Sequence, residues 1–285
     1  MMPGLTLAVA ITANRAVNAQ SRPPSPKAFA IHTRLFYTFP QPTDVLLQIE
    51  AACLPDQKVK SPQLWLTPVD HFNRVPAHDE IGERIWLRAE QELALDYTTT
   101  VIVDRDTPPL SSLPETLPHR LPGAVIDYLM PSRFCPSDRF VEFAAAEFSG
   151  MSGGACVTAI QEWVSTNLSY APGSSNAQTC ASDTFIQRQG VCRDYAHLVV
   201  SLCRAMAIPA RLCSVYAPDV SPPDFHAVAE VYLQGGWHLV DATGMAATAD
   251  IIRIGVGRDA ADVPFLSSFG GAVLVEQKVS VTRVS

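Results

Sequence analysis

The segment GVCRDYAHLVVSLCRAMAIPARLC, residues 190–213, constrains the fold most. Tyr195, Leu198, Val199, Leu202, Cys203 and Met206 recur at helical spacing and form a broad apolar stripe, and Pro209 ends the element because it cannot continue the backbone ladder. A helix this apolar belongs inside a domain. Its first turn nevertheless carries Cys192, Arg193 and Asp194 in succession. Backbone N–H groups there lack intrahelical partners, and the positive end of the helix dipole favours an anion, so a thiolate is favoured at this position.

Around this helix the pattern changes along the chain. Residues 28–120 read as a β-rich domain: FAIHTRLFYTF, TDVLLQIEAACL, RIWLRAE and LDYTTTVIVD are rich in β-branched and aromatic residues and are punctuated by Pro, Asp and Gly. Proline is dense from 105 onward, and residues 121–136 are expected to be a connection. Residues 137–250 then read as a helical and mixed core. Ser137 is a candidate N-cap for DRFVEFAAAEF; ACVTAIQEWVSTNL is a second helix; and SDTFIQRQ is a short one, with Ser182 as its cap and Gly190 as its stop. Residues 251–285 are expected to end in a closing strand, AVLVEQKVSVTRV. The fold class expected is α+β.

After the central helix, ARLCSVYA alternates, and FHAVAEVYLQGGWHLVDATG reads as a β-hairpin. Parity places His226 and Asp241 on one face, and register decides whether they meet. A turn at Gly235-Gly236 sets Asp241 opposite Glu230, about 13 Å along the strand from His226. A turn at Gln234-Gly235 sets it opposite Val228, diagonal to His226, and this register is the expected one. Cys192, His226 and Asp241 then form a candidate triad, in which a thiolate attacks an acyl carbon, an imidazole moves the proton and a carboxylate orients the imidazole. The Cys192 backbone N–H is the expected oxyanion donor, and Gln178, Asn176 and Tyr170 are candidates for the second.

The blocks RQGVCRDYAHLVVSLCRAMAIPARL, FHAVAEVYL and GGWHLVDATG, together with WVSTNLSYAPGSS, resemble the transglutaminase-like superfamily, which includes transglutaminases and related bacterial cysteine peptidases. The resemblance implies a papain-like core preceded by a β accessory domain, with Cys192 as nucleophile, His226 as base and Asp241 as orienting acid. It implies amide hydrolysis or acyl transfer to an amine, a protein or peptide substrate and no cofactor. Val228 stands where members often have tryptophan, and DATG where many have DPTN. A catalytically silent interaction module of the same fold is the alternative, and a metal site of Cys180, Cys192 and His226 is a third reading.

The remaining residues have plainer expectations. Arg193 and Asp194 would be an ion pair fixing the helix start, or would support the site; His197, Cys203, Cys213 and Trp237 would be packing residues. His238 would be a cross-strand neighbour, and Glu230 a solvated or locally paired strand residue. The formal charge of -7 and the lack of basic runs exclude a nucleic-acid or polybasic membrane contact, and no EF-hand loop is present. Seven cysteines without CxxC spacing fit reduced thiols in a cytoplasm. Residues 1–27 are expected to be a flexible N-terminus, and export is the alternative location if residues 1–19, with their apolar run and AVNA ending, act as a signal.

Overall fold

The computed structural model describes residues 25–284, so the candidate signal at 1–19 lies outside the described residues. Along the N-terminal half run β1 (Lys27–Thr38), β2 (Thr43–Leu47), β3 (Gln57–Leu66), β4 (His71–Pro76), β5 (Glu83–Ala89) and β6 (Glu92–Val103). Alternation is clean where a strand covers the core: Leu93, Leu95, Tyr97, Val101 and Val103 of β6 face inward with Phe29, Ile31 and Leu35 of β1. β3 carries Pro62, which removes a ladder donor; the strand absorbs it with a register break between Lys60 and Gln63, where Ser61 has φ 49. β4 is an edge strand, mostly exposed.

The proline-rich stretch folds into short 3-10 turns at Leu110–Ser112, Pro118–Arg120 and Gly123–Leu129. Then follow α1 (Val141–Glu147), α2 (Gly153–Asn167), β7 (Ser169–Tyr170), α3 (Ala181–Gln187), β8 (Gln189–Gly190) and α4 (Cys192–Ala205). Ser137 does not cap α1: it is buried in a 3-10 turn, Ser137–Phe140, that leads into the helix. Ser182 and Gly190 likewise do not bound α3. Asp183 accepts the Cys180 N–H at 2.9 Å, which makes Cys180 the cap, and Arg188 closes the helix at φ 58 with its guanidinium over Phe185 and Trp163.

The second half completes two bodies at once. β9 (Ala210–Tyr216), β10 (His226–Leu233), β11 (Gly236–Val240) and β12 (Ile252–Gly257) form an antiparallel sheet in the order β11-β10-β9-β12, with α4 packed on β10 and β9. α4 is buried from Asp194 to Arg204, and its apolar side meets α2, α3 and the sheet in one cluster. β13 (Leu266–Ser268) and β14 (Val273–Val284) return to the N-terminal half, giving sheets β14-β1-β6-β3 and β13-β2-β5-β4. The fold is α+β, helices on one sheet and two further sheets beside them. Among the described residues no helix is long and apolar enough to cross a membrane.

Tyr216, Phe225, Ile252 and Ile254 belong to the same apolar cluster as Phe29, Leu47 and Tyr97, so the two halves share a core. Tyr216 donates to the Ile49 carbonyl at 2.7 Å and accepts from Thr33 at 2.9 Å. Glu230, expected at the surface or locally paired, is fully buried: it accepts from Arg211 at 2.8 Å and from Arg253 at 2.6 Å. Arg253 continues to the half-buried Asp56, between β2 and β3, so a chain of charges crosses between the halves.

Candidate active site

Cys192 is the first residue of α4, and three local devices hold it there. Asp194, fully buried, accepts the Val191 N–H at 2.8 Å and stops the helix from extending backward. Gly190 leaves room for that carboxylate, since a Cβ at 190 would lie 2.7 Å from the Asp194 Cβ. Arg193 donates to the Asn176 carbonyl at 2.8 Å and to Asp194 at 3.3 Å, which ties the 171–179 loop to the helix start. Both charged residues therefore set the position of the thiol from behind it.

The hairpin adopts the expected register. Leu233 pairs with Gly236 and Ala229 with Val240 around a Gln234-Gly235 turn, both residues at positive φ. That pairing, continued one step, puts Asp241 opposite Val228 and diagonal to His226, and His226 Nε2 donates to Asp241 Oδ2 at 3.1 Å. Asp241 also accepts from the Thr243 N–H at 2.9 Å, the Thr243 hydroxyl at 2.6 Å and the Ala246 N–H at 2.9 Å, while its own carbonyl accepts from Gln161 at 3.0 Å. Burial pushes the Asp241 carboxyl up, but these donors and the His226 charge hold it below the usual range.

A carboxylate on Nε2 fixes the neutral imidazole with its proton there and its lone pair on Nδ1. Nδ1 is buried and makes no other hydrogen bond. Burial pulls the His226 pKa down; Asp241 and the adjacent Cys192 sulfur outweigh it and raise the ring to about 9.

Cys192 and His226 line one cleft of about 570 Å³. Tyr170 borders it, brought in by the short parallel pairing of β7 with β8, Tyr170 beside Gly190. Burial and the neighbouring Cys192 raise the phenol to about 12, so Tyr170 keeps its proton. Gln178 is not in this cleft. It is exposed in the loop before α3, and its N–H donates to Asn176 Oδ1 at 2.8 Å, so an Asn-centred turn directs it away. Asn176 offers its carbonyl to Arg193 and does not line the cleft.

The other sequence candidates fall into packing roles. His197 is buried, stacked on Phe134, and its Nε2 accepts the Ala260 N–H at 3.1 Å. Burial lowers its pKa to about 4, so it stays neutral. Cys203 and Cys213 are buried, and burial raises both thiols. His238 Nε2 donates to the Leu233 carbonyl at 3.2 Å across the hairpin, and Trp237 packs edge-on against Tyr128 and Tyr232. Cys180 caps α3, and among the described residues no group of three or more His, Cys, Asp or Glu is arranged to hold a metal ion, so the metal reading loses its ligand set.

Half of the cleft wall escaped sequence reasoning. Asp224, Phe225 and Phe265 line it from segments beside the core, and Tyr37 and Gln277 line it from β1 and β14. Asp224 could have been noticed for standing two places before His226. The strand pairing that delivers Tyr37 and Gln277 has no local signal.

Comparisons with known proteins show the family and the fold. The model of the family described as the transglutaminase-like superfamily matches residues 145–242. A crystal structure of "a Putative Cysteine Protease from Cytophaga hutchinsonii" is similar at TM-score 0.87 and 33% identity, covering 92% of this chain and 92% of that one. An uncharacterized protein of Mycobacterium leprae is 31% identical over 140 residues, 45% of this chain and 50% of that protein, so the chain matches only half the length of that relative. An uncharacterized protein of Mycobacterium bovis is 28% identical over 225 residues, 69% of this chain and 70% of that protein.

Proposed function

The chain belongs to the transglutaminase-like superfamily, and from that premise we propose that it is a thiol enzyme acting on amides, with Cys192 as nucleophile, His226 as proton carrier and Asp241 as orienting carboxylate. The observation that carries the reading is the His226–Asp241 hydrogen bond at 3.1 Å in the cleft that Cys192 and His226 both line. His226 Nδ1 takes the thiol proton, and the thiolate adds to the carbonyl carbon of a peptide bond or a glutamine side chain. The carbon–nitrogen bond then breaks, the departing nitrogen takes the proton from the imidazolium, and a thioester remains on Cys192. Water resolves it in hydrolysis, an amine in transfer.

Negative charge gathers on the carbonyl oxygen while the tetrahedral adduct lasts. The Cys192 backbone N–H, unpaired within the helix, is one donor for it, and the Tyr170 hydroxyl is the other. A cleft bounded on one side by strands supports an extended peptide or protein as acyl donor.

Alkylation of Cys192 by iodoacetamide, followed by mass spectrometry across pH, tests the proposal. Rapid labelling below pH 7 that slows in His226→Ala supports an activated sulfur, and amide substrates with and without an added primary amine then separate hydrolysis from transfer. Slow labelling, equal in both proteins, would instead indicate an interaction module without chemistry.

A further inference from the structure

We propose that Asp224 determines specificity, pairing with the ammonium group of a lysine-like side chain on the acyl substrate; this rests on the thiol-enzyme reading above. Asp224 lines the cleft that holds Cys192 and His226 and stands two residues before the latter. Its carboxyl is fixed on one side only. Oδ1 accepts the Phe225 N–H at 2.7 Å and the side-chain amide of Gln277, which reaches over from β14. Among the described residues neither a salt-bridge partner nor a hydrogen-bond donor meets Oδ2, which leaves that oxygen for a ligand.

No other cleft group competes for this role. The remaining charged side chains of the lining are Arg193 and His226. Arg193 is committed to Asp194 and the Asn176 carbonyl, and His226 to Asp241. Asp224 is thus the one carboxylate in the lining, and it sits among Val220, Pro222, Phe225 and Phe265. An exposed acid in a cleft that also has apolar lining favours a cation on an aliphatic stem: the stem covers the apolar wall and the ammonium reaches the oxygen. Burial agrees with this setting, since it raises the Asp224 carboxyl above its ordinary range despite the Phe225, Gln277 and His226 contacts that pull it down.

The test uses the full-length protein and two affinity labels for Cys192, a lysyl peptide chloromethyl ketone and the same peptide with norleucine. The ratio of their inactivation rates is expected to favour lysine by about fivefold, as for a partly exposed ion pair, and to fall toward one in Asp224→Asn. In the wild type the ratio should shrink as salt is raised and as pH falls through the carboxyl's raised range, a measurement that needs no variant to fold. A ratio near one at low salt, or a preference for lysine that survives in a folded Asp224→Asn, overturns the assignment. If neither label modifies Cys192 and iodoacetamide labels it slowly, the thiol-enzyme reading has failed instead.

Discussion

Asp241 accepts four hydrogen bonds on two buried oxygens, and its charge, together with the Cys192 sulfur, favours the protonated form of His226 against burial. An unperturbed imidazole titrates near pH 6.5; in this protein the ring holds its proton to about 9. The sign follows from linkage. A folded-state pKa raised above the unfolded one contributes stability that is complete below about pH 6.5 and is lost as the pH rises through the folded value. Asp241→Asn removes the charge that favours the imidazolium, so the ring should titrate at lower pH. Carbon-13 NMR of ring-labelled histidine, with the His226 signal assigned by its loss in His226→Ala, reads this directly; an unmoved titration would mean that Asp241 does not set the ring's charge. The approach of His226 to Asp241 was legible because strand parity limits the two to a few registers. Asp224 was not, since PPDFH has no periodicity and its position in the cleft depends on a glutamine far away in sequence.

The start of α4 shows how narrowly an element can hold one side chain. Gly190 is not there for an unusual backbone angle; a Cβ would press on the Asp194 carboxylate, 3.0 Å from Oδ2. Gly190→Ala should therefore cost about 1–3 kcal/mol, as overpacking does, and slow Cys192 alkylation, because the displaced acid no longer holds the Val191 N–H. Gly123→Ala, where nothing lies within 4 Å of the new methyl, serves as the control. Denaturant midpoints and labelling rates for the pair check the claim; equal effects at both positions would refute it. Helical periodicity and the QGG turn made α2, α4 and the hairpin readable from sequence. β3 and β4 were missed because Pro62 interrupts one and the other buries almost nothing, so neither shows a buried-face pattern.

Across the whole molecule the two halves behave as one body. Glu230 sits fully buried between Arg211 and Arg253, and Arg253 grips Asp56 at 2.9 Å. Removing the central acid leaves Arg211 only Asp79 and Arg253 only Asp56, so Glu230→Ala should cost about 1–3 kcal/mol, as for lost hydrogen bonds to buried charged groups. Denaturation followed from Trp65 and Trp86 in the N-terminal sheets should coincide with that followed from Trp163 and Trp237 in the helical half, in wild type and variant alike. Separated transitions in the wild type would show that the shared core does not couple the halves. Sequence divided the chain linearly into β domain, core and tail, because periodicity reports each strand's character but not its neighbour. The pairing of β14 with β1, register Leu35 to Gln277, places a late segment against the first strand and brings Gln277 to the cleft. Gln277 lies 85 residues after Cys192 (277 minus 192). During synthesis from the N-terminus Cys192, its helix and its hairpin are made before Gln277, so the part of the cleft wall that β14 supplies is the last to be added.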